Sequence, residues 1–221
     1  MNKEDVSNMC QLNRARSRFK HAFTCFDYPE RTTFDDIELL SYVMSLVKID
    51  LASSAKLNAV YDNEWHQFLF PESFDWKGNL IVSLKDTGEE KEFTLNEQTY
   101  ISTWKPKSLL KSFFDIRKTG FKQNGNHEAY YYKELDLLHV YNGLHSSLAG
   151  SMSSGVVKAK VVSIEHLFDM LETDGVYWYC YQSIKDDKRL RGKVINFRLA
   201  FLFELARIKY ELEKYGKTDR L

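Results

Sequence analysis

Apolar residues recur at steps of three and four through the first third of the chain, the spacing typical of amphipathic helices. One series predicts a helix with Thr33 as its N-cap, and its apolar positions are Phe34, Ile37, Leu40, Tyr42, Val43, Leu46 and Val47. A second helix is expected over residues 53–70, closed by Pro71. We therefore expect residues 1–75 to form a helical N-terminal part.

The pattern changes to short extended runs after residue 75. Two of them, residues 79–84 and 93–95, flank Asp86-Thr87-Gly88 and predict a hairpin with a glycine-containing turn. Pro106 is expected to start a helix that ends at Gly120. Further strands are expected over residues 129–132, 137–141, 156–163 and 176–181, with a helix over 165–171.

The C-terminal segment again has helical spacing. Its apolar positions from Leu190 to Tyr215 step by three or four, and Ser183 with Asp186 could cap the start. At 1.5 Å per residue such a helix would span about 40 Å. The alternatives for it are packing over the sheet and an arm that binds a partner. We expect an α+β fold with a core over residues 76–182 and a long C-terminal helix over 183–221 packed on that core.

Composition adds little to this picture, but the distribution of charge does. The 221 residues carry 31 basic and 31 acidic side chains. Residues 101–125 nevertheless hold six basic residues and one acidic residue, and residues 185–221 hold eleven and six. Basic patches for phosphate are thus available without net positive charge. The alternative is that these charges only solvate helix faces.

Several common classes of protein are disfavoured by the sequence. It has no Walker A loop, zincin helix, EF-hand loop or nucleophile elbow, and its three cysteines form no Cys-x-x-Cys pair. No run approaches the 18 or so apolar residues of a membrane span, and the polar start is unlike a signal peptide. We expect a soluble, cytoplasmic protein that does not bind membranes. The oligomeric state cannot be read from the sequence.

The segment from residue 137 to 162 carries the most information about function. A strand ends in a tight turn at Asn142-Gly143, a short helix opens at His145-Ser146-Ser147, and a glycine precedes a valine-rich strand. A helix that begins directly after a glycine turn presents unpaired backbone N–H groups and the positive end of its dipole. This arrangement predicts an anion site.

This segment resembles the ParB/sulfiredoxin superfamily, whose signature is a strand, a glycine-containing box that opens a helix, and a glycine before a valine-rich strand. Gly143, His145, Ala149 and Gly155 match that order and spacing. The upstream stretch from Trp104-Lys105-Pro106 to Gly120-Phe121 is similar to the family's proline-containing entry, helix and Gly-Phe exit. The resemblance covers about residues 95–165.

The resemblance implies a small α+β fold whose box binds nucleotide phosphates, as in DNA-partition proteins, nucleases and phosphoryl-transfer enzymes. Ser146 and Ser147 stand where the family usually has an arginine, which would grip phosphate with two hydrogen bonds. The residues expected to bind phosphate are the box and nearby basic side chains: Asn142, Gly143, Ser146, Ser147, Lys105, Lys107 and Arg117.

Two histidines are the candidate catalytic residues. His145 could act as a general base or neutralise phosphate, because its ordinary pKa is near neutrality; the alternative is that it only helps to start the helix. His127 follows a turn, and with Glu128 and a second histidine it could hold a divalent metal such as Mg²⁺ or Mn²⁺ at one end of the sheet. No residue set forms a recognisable metal motif.

Two functional hypotheses follow. The first is a nucleotide-binding or nucleic-acid-binding protein that contacts phosphate through residues 142–147, with nuclease or nucleotide-hydrolase activity as its enzymatic form. The second is a non-catalytic phage or mobile-element protein, an inhibitor or regulator that binds a protein partner through the same fold. The aromatic runs at residues 130–132 and 177–181 could stack on bases or could simply pack the sheet.

Overall fold

The computed structural model describes residues 17, 21, 37–61, 68–76, 79–103, 106–180 and 190–215. The helices with defined bounds are α1 (Ile37–Tyr61), α2 (Pro106–Thr119), α3 (Leu144–Ser151), α4 (Glu165–Phe168) and α5 (Phe197–Tyr215). The strands are β1 (Ser73–Trp76), β2 (Asn79–Val82), β3 (Lys85–Thr94), β4 (Tyr100–Ile101), β5 (Glu128–Tyr132), β6 (Leu137–Asn142), β7 (Val156–Ser163), β8 (Leu171–Thr173), β9 (Tyr177–Cys180) and β10 (Leu190–Lys193). The expected α+β class is confirmed.

The chain divides into two compact units. The sheet unit comprises residues 48–69 and 84–164, and the second unit comprises residues 1–47, 70–83 and 165–221. All of the box residues predicted to bind phosphate belong to the sheet unit.

The sheet unit is built on five strands in the order β3-β7-β5-β6-β4. The β3/β7 and β5/β6 pairs are antiparallel, whereas β5/β7 and β4/β6 are parallel. In β7 the buried Val157, Ala159 and Val161 alternate with the exposed Lys158 and Lys160. This period of two gives the strand one apolar face, which is why it can lie inside a sheet with one side towards a core.

The core of the sheet unit lies between that apolar face and helix α3. Its buried members come from strands and from the helix, and they are Leu95, Ile101, Ala129, Leu138, Val140, Leu144, Leu148, Val157 and Ala159. Leu109 of α2 and Phe121 pack against the same cluster. The core therefore holds α3, which opens the predicted box, in a fixed position against the sheet.

The second unit has its own aromatic core. It contains the hairpin β1–β2, the antiparallel sheet β10-β9-β8 and the helices α4 and α5. The rings of Phe70 and Trp178 lie 5.2 Å apart, and Phe203 of α5 lies 5.1 Å from Trp178. Helix α5 is buried over the whole of residues 199–206. Thus α5 packs into a core, which favours the packing alternative for the C-terminal helix.

One expectation for the N-terminal third is wrong. Residues 53–61 do not form a separate helix, because α1 runs without a break from Ile37 to Tyr61. Ser54 causes no break, since its hydroxyl donates to the carbonyl of Leu51 inside the helix. Residues 68–72 are not helical. The expected N-cap Thr33 lies outside the described residues.

The hairpin expected over residues 79–95 is also wrong. Strand β2 pairs with β1, while β3 is one ten-residue strand that pairs with β7. Gly88, with a φ of 75°, lies where the β3/β7 register shifts, and its N–H bonds to the Asp86 carboxylate. The glycine therefore marks an irregularity within a strand rather than a turn between two strands.

The C-terminal helix is shorter than expected. Residues 190–193 form β10, and α5 begins at Phe197, where the Asn196 side chain accepts a bond from the N–H of Arg198. Its 19 residues span about 28 Å. The proposed cap, Ser183 with Asp186, lies outside the described residues. Similarly, α4 ends at Phe168 and Leu171 already opens β8.

The other central elements agree with expectation. Helix α2 begins at Pro106 and ends before Gly120, whose φ is 75° and whose N–H bonds to the carbonyl of Ile116. Strands β5, β6, β7 and β9 lie within a residue of their predicted positions. Among the described helices, none has the length and apolar content needed to cross a bilayer.

Candidate functional site

Two parallel strands end at the same edge of the sheet, and each is followed by a helix. Strand β4 pairs with β6 so that Tyr100 lies beside His139 and Ile101 beside Val140. Continued in this register, Thr103 comes beside Asn142. Helix α2 starts after β4 and α3 starts after β6, so both helices begin at this edge. We call the region around Thr103, Asn142 and the first turn of α3 the β4–β6 edge.

The first turn of α3 is preceded by a left-handed glycine. Gly143 is the N-cap residue with a φ of 72°, and no side chain caps the helix. Asn142 braces the turn instead: its Oδ1 accepts from the N–H of Gly143 at 2.9 Å, and its Nδ2 donates to Glu128 at 3.1 Å. The start of α3 is therefore held in place with no side-chain hydrogen bond capping it, and the Glu128 carboxylate is linked to it through Asn142.

His127 and Ser146 meet in a short hydrogen bond, with 2.6 Å between Nε2 and Oγ. The backbone N–H of Asn124 donates to Nδ1 of His127 at 3.0 Å, so Nδ1 must be an acceptor and the ring proton must be on Nε2. His127 then donates to Ser146, whose hydroxyl lies 3.0 Å from the carbonyl of Gly143 and can donate to it. These hydrogen bonds run from the Asn124 N–H to His127, from His127 to Ser146, and from Ser146 to the Gly143 carbonyl, and they connect the 124–127 turn to the start of α3.

This arrangement bears on whether His127 can act as a base towards Ser146. Burial lowers the pKa of His127, which keeps the imidazole neutral at neutral pH. A neutral ring that already donates through Nε2 cannot take a proton from Ser146. His127 thus braces the turn and the Ser146 hydroxyl is engaged within it, while a catalytic role of His127 towards another group stays a prediction.

Two fully buried hydroxyls lie at or beside the β4–β6 edge without a hydrogen-bond partner in the part of the chain that the structure describes. They belong to Thr103, which follows β4, and to Ser147, in α3. A buried unsatisfied hydroxyl costs about 1–3 kcal/mol, and such groups are rare in native proteins unless water or a ligand meets them. Sequence reasoning did not identify Thr103.

Phe121, the residue of the Gly-Phe exit, has a packing role that spacing alone did not reveal. Its ring lies against Gly150 at the end of α3 and against Gly155 before β7; a Cβ on either glycine would come within 2.5–2.6 Å of the ring. The ring also contacts His127 edge-on, with centroids 5.1 Å apart. Phe121 therefore fixes the connection from the end of α3 to β7, and the conjunction of a phenylalanine with two glycines was the available sequence signal.

The basic candidates are not all brought to this edge. Lys107 is exposed in the first turn of α2, close to where that helix begins. Arg117 is in the last turn, ten residues or about 15 Å further along the helix. Lys105 lies outside the described residues. His145 is half-buried in the first turn of α3.

The aromatic strand residues mostly pack against one another. Tyr130 stacks on Tyr141 with centroids 4.6 Å apart, and Tyr131 stacks on Phe93 at 4.3 Å. Tyr132 is fully buried. These contacts favour the packing alternative over base stacking.

The candidate divalent-metal site is not assembled. Within the described ranges no group of three or more histidine, cysteine, aspartate or glutamate residues is positioned to hold a metal ion. Both ring nitrogens of His127 are engaged in the bonds described above. The hydrogen bonds of His127 and Glu128 support the turn and the start of α3.

Comparison with known proteins gives a family but no relative of defined activity. No curated protein and no solved structure matches the chain. The sequence model of DUF6710, a family of unknown function, matches residues 6–215. Since that match covers nearly the whole chain, the protein belongs to the DUF6710 family.

Proposed function

We propose that this protein binds a phosphate group of a nucleotide or nucleic acid at the β4–β6 edge, on a ParB/sulfiredoxin-like sheet. The resemblance of residues 95–165 to that superfamily supports the proposal, as does the order of strand, glycine turn, helix, glycine and strand around α3. The family match leaves the activity open, so the proposal depends on the geometry of the edge.

The observation that carries the proposal is the pair of buried, unpartnered hydroxyls at an uncapped helix start. Thr103 and Ser147 lack partners among the described residues, and no side chain caps α3. An anion would receive hydrogen bonds from hydroxyls and from backbone N–H groups, and its charge would be stabilised by the helix dipole. Lys107, in the first turn of α2, would add a positive charge.

Within this proposal His145, in the first turn of α3, is the candidate general acid or base. Ser146 has no direct part in binding because its hydroxyl is occupied by His127 and Gly143. The backbone of α3, rather than an arginine fork, then supplies the contacts to phosphate. A nuclease or nucleotide hydrolase would need His145, whereas a binding protein would not.

The second candidate is a non-catalytic interaction protein on the same fold. The observation that favours it is the use of His127 and Ser146 as a structural brace, which leaves the edge with one candidate proton-transfer residue among those predicted. In that case a phosphate group would serve recognition, with no bond broken.

A thermal-shift panel tests binding directly. Wild-type protein is heated with ATP, dATP and single-stranded DNA and RNA oligonucleotides, with and without Mg²⁺ or Mn²⁺. A ligand at 100 times its dissociation constant should stabilise the protein by about 2.7 kcal/mol. Lys107→Ala should lose most of this shift, whereas Lys118→Ala, on the same helix but in its last turn, should retain it.

The outcomes separate the two candidates. A shift that Lys107→Ala removes, followed by turnover that His145→Ala abolishes, supports an enzyme; the same shift without turnover supports the interaction protein. If no nucleotide or oligonucleotide shifts the wild type, or if Lys118→Ala loses the shift as fully as Lys107→Ala, the proposed site is refuted.

A further inference from the structure

Helices α2 and α3 line an apolar groove on the sheet unit, with a volume of about 590 Å³. We call it the α2–α3 groove, and its main side chains are Leu109, Leu110, Phe113, Leu148 and Met152. Its polar lining residues are Lys56, Glu97 and Ser151, and Nζ of Lys56 donates to the carbonyls of Asn96 and Glu97. The remaining lining is hydrocarbon.

Two large apolar side chains that line the groove face solvent: Leu110 is 59% exposed and Met152 74%. Phe114, one turn after Leu110 on α2, is 57% exposed. Isolated exposed apolar residues are ordinary, but these three on and beside one apolar groove form a patch of the kind that marks an interaction site. Because Leu109 and Phe113 of the same helix turn towards the core and groove, α2 has more apolar surface than its own unit covers.

Leu110 and Phe114 form an apolar stripe along α2, and positive charge lies at both of its ends. Lys107, Leu110, Phe114 and Arg117 follow one another at steps of three, four and three, so they share one face of α2. Lys111 and Lys118 are exposed beside them, and Asp115 is the one acidic residue in the helix. A partner that covers the stripe must therefore meet positive charge at its flanks.

We propose that the α2–α3 groove binds an amphipathic α-helix of a partner protein, with apolar anchors one turn apart and acidic residues on either side. The stripe from Lys107 to Arg117 is about 15 Å long, which corresponds to some three turns of the bound helix. The apolar anchors would fill the channel, and the acidic residues would pair with Lys107, Lys111 and Arg117.

Charge and shape favour this occupant over the others. A second copy docking through the same face would bring like charges together. The chain's own residues 1–24, with five basic and two acidic side chains, carry the wrong sign. A concave channel also fits a helix better than it fits the flat surface of a bilayer. The groove and the phosphate site share Lys107, but the apolar side chains that line the groove take no part in the phosphate site.

Three synthetic 16-residue helical peptides test the proposal. They share the same leucine positions and differ only in their flanking residues, which are glutamate, glutamine or lysine; a fourth peptide scrambles the glutamate sequence. Binding to the full chain is measured by fluorescence anisotropy at 50 and 500 mM salt. We expect the glutamate peptide to bind at least tenfold more tightly than the glutamine peptide and the lysine peptide not to bind. The difference should shrink at high salt.

Variants locate the binding surface. Leu110→Asn and Phe114→Asn should each weaken the glutamate peptide at least tenfold. Leu80→Asn, at a 73% exposed leucine in the second unit, should leave its affinity unchanged. Because both side chains are exposed, these substitutions should preserve the fold, which circular dichroism verifies.

Four results would overturn the proposal. The first is that the scrambled peptide binds as tightly as the glutamate peptide, and the second is that Leu110→Asn binds the glutamate peptide as tightly as the wild type does. The third is that the protein binds phosphatidylglycerol vesicles but not the peptide. The fourth is that the protein forms a concentration-dependent dimer that Leu110→Asn dissociates. The vesicle result would identify the face as a membrane contact, and the dimer result would identify it as an interface between copies.

Discussion

Replacing Thr103 by valine tests whether the Thr103 hydroxyl serves a ligand or the fold. Thr103 is fully buried, and its Oγ1 has no hydrogen-bond partner among the described residues. Valine has nearly the same shape but no hydroxyl, so the substitution removes the cost of an unsatisfied group without opening a cavity. That cost is about 1–3 kcal/mol. We expect Thr103→Val to raise the free energy of unfolding by at least about 1 kcal/mol, or roughly 2–4 °C in Tm.

The control is Thr99→Val in the same unit. Thr99 is equally buried, but its Oγ1 accepts from the N–H of Asn96 at 3.0 Å and lies 3.3 Å from the Asn96 side-chain oxygen. Losing these bonds leaves the N–H of Asn96 unsatisfied and should cost about 1–2 kcal/mol. The two threonine-to-valine changes should therefore have opposite signs.

Urea unfolding followed by far-UV circular dichroism measures both changes, and the nucleotide thermal shift is repeated on the same variants. Thr103→Val should be more stable without ligand and should lose at least part of the shift that nucleotide produces. If Thr103→Val destabilises the free protein as much as Thr99→Val does, the hydroxyl has a structural partner. The argument for an anion at this edge would then be refuted.

Two further predictions concern stability. Gly143→Ala should lower the free energy of unfolding in urea by about 2–4 kcal/mol, because the left-handed φ of 72° is strained for alanine and the added Cβ would lie 2.5 Å from the His127 ring. Gly120→Ala has a similar φ of 75° but open space around the added Cβ, so it should cost only about 1–2 kcal/mol. Equal losses would show that the His127 contact relaxes freely. Burial raises the pKa of Glu204 to about 7 from 4.5. The folded state therefore binds a proton more tightly than the unfolded state does, and the free energy of unfolding should fall by up to about 3 kcal/mol as the pH rises from about 4.5 through 7. Glu204→Gln keeps an acceptor for Arg207 but cannot ionise, so it should remove this part of the pH dependence between pH 5 and 7. If the urea midpoint of Glu204→Gln has the same pH profile as the wild type, Glu204 is not the group responsible.

The parts of the fold that the sequence predicted well are those with local signals. Helix α2 has a proline at its first position and a glycine after its last, and both residues act through their own backbone geometry. The turn at Asn142-Gly143 and the alternation in β7 are equally local. Such features need no knowledge of distant partners.

The errors arose where distant partners decide the structure. Leu190 and Val194 fit a helical spacing, but β10 pairs with β9 and Gly192 lies against Pro71, more than 100 residues earlier in the chain. The backbone can approach that closely only because Gly192 has no side chain. Strand β3 likewise finds its partner in β7, which no turn signal near Gly88 could reveal.

The candidate site divides in the same way. The glycine turn and the start of α3 could be located from sequence, but the second half of the edge could not. Thr103 reaches it only through the parallel pairing of β4 with β6, some 40 residues away. For His127 the position was expected but the protonation was not. Its place near the box follows from the sequence, whereas its tautomer is set by a hydrogen bond from the N–H of Asn124 that residue spacing does not reveal.

The contact of Phe121 with two glycines has a consequence for how this family can diverge. Positions 121, 150 and 155 share one volume, so an added methyl at Gly150 or Gly155 must be matched by a smaller residue at 121. Members of the family should therefore change these three positions together or not at all. Such covariation would identify the segment as a single inherited module, even where the residues of the phosphate edge differ.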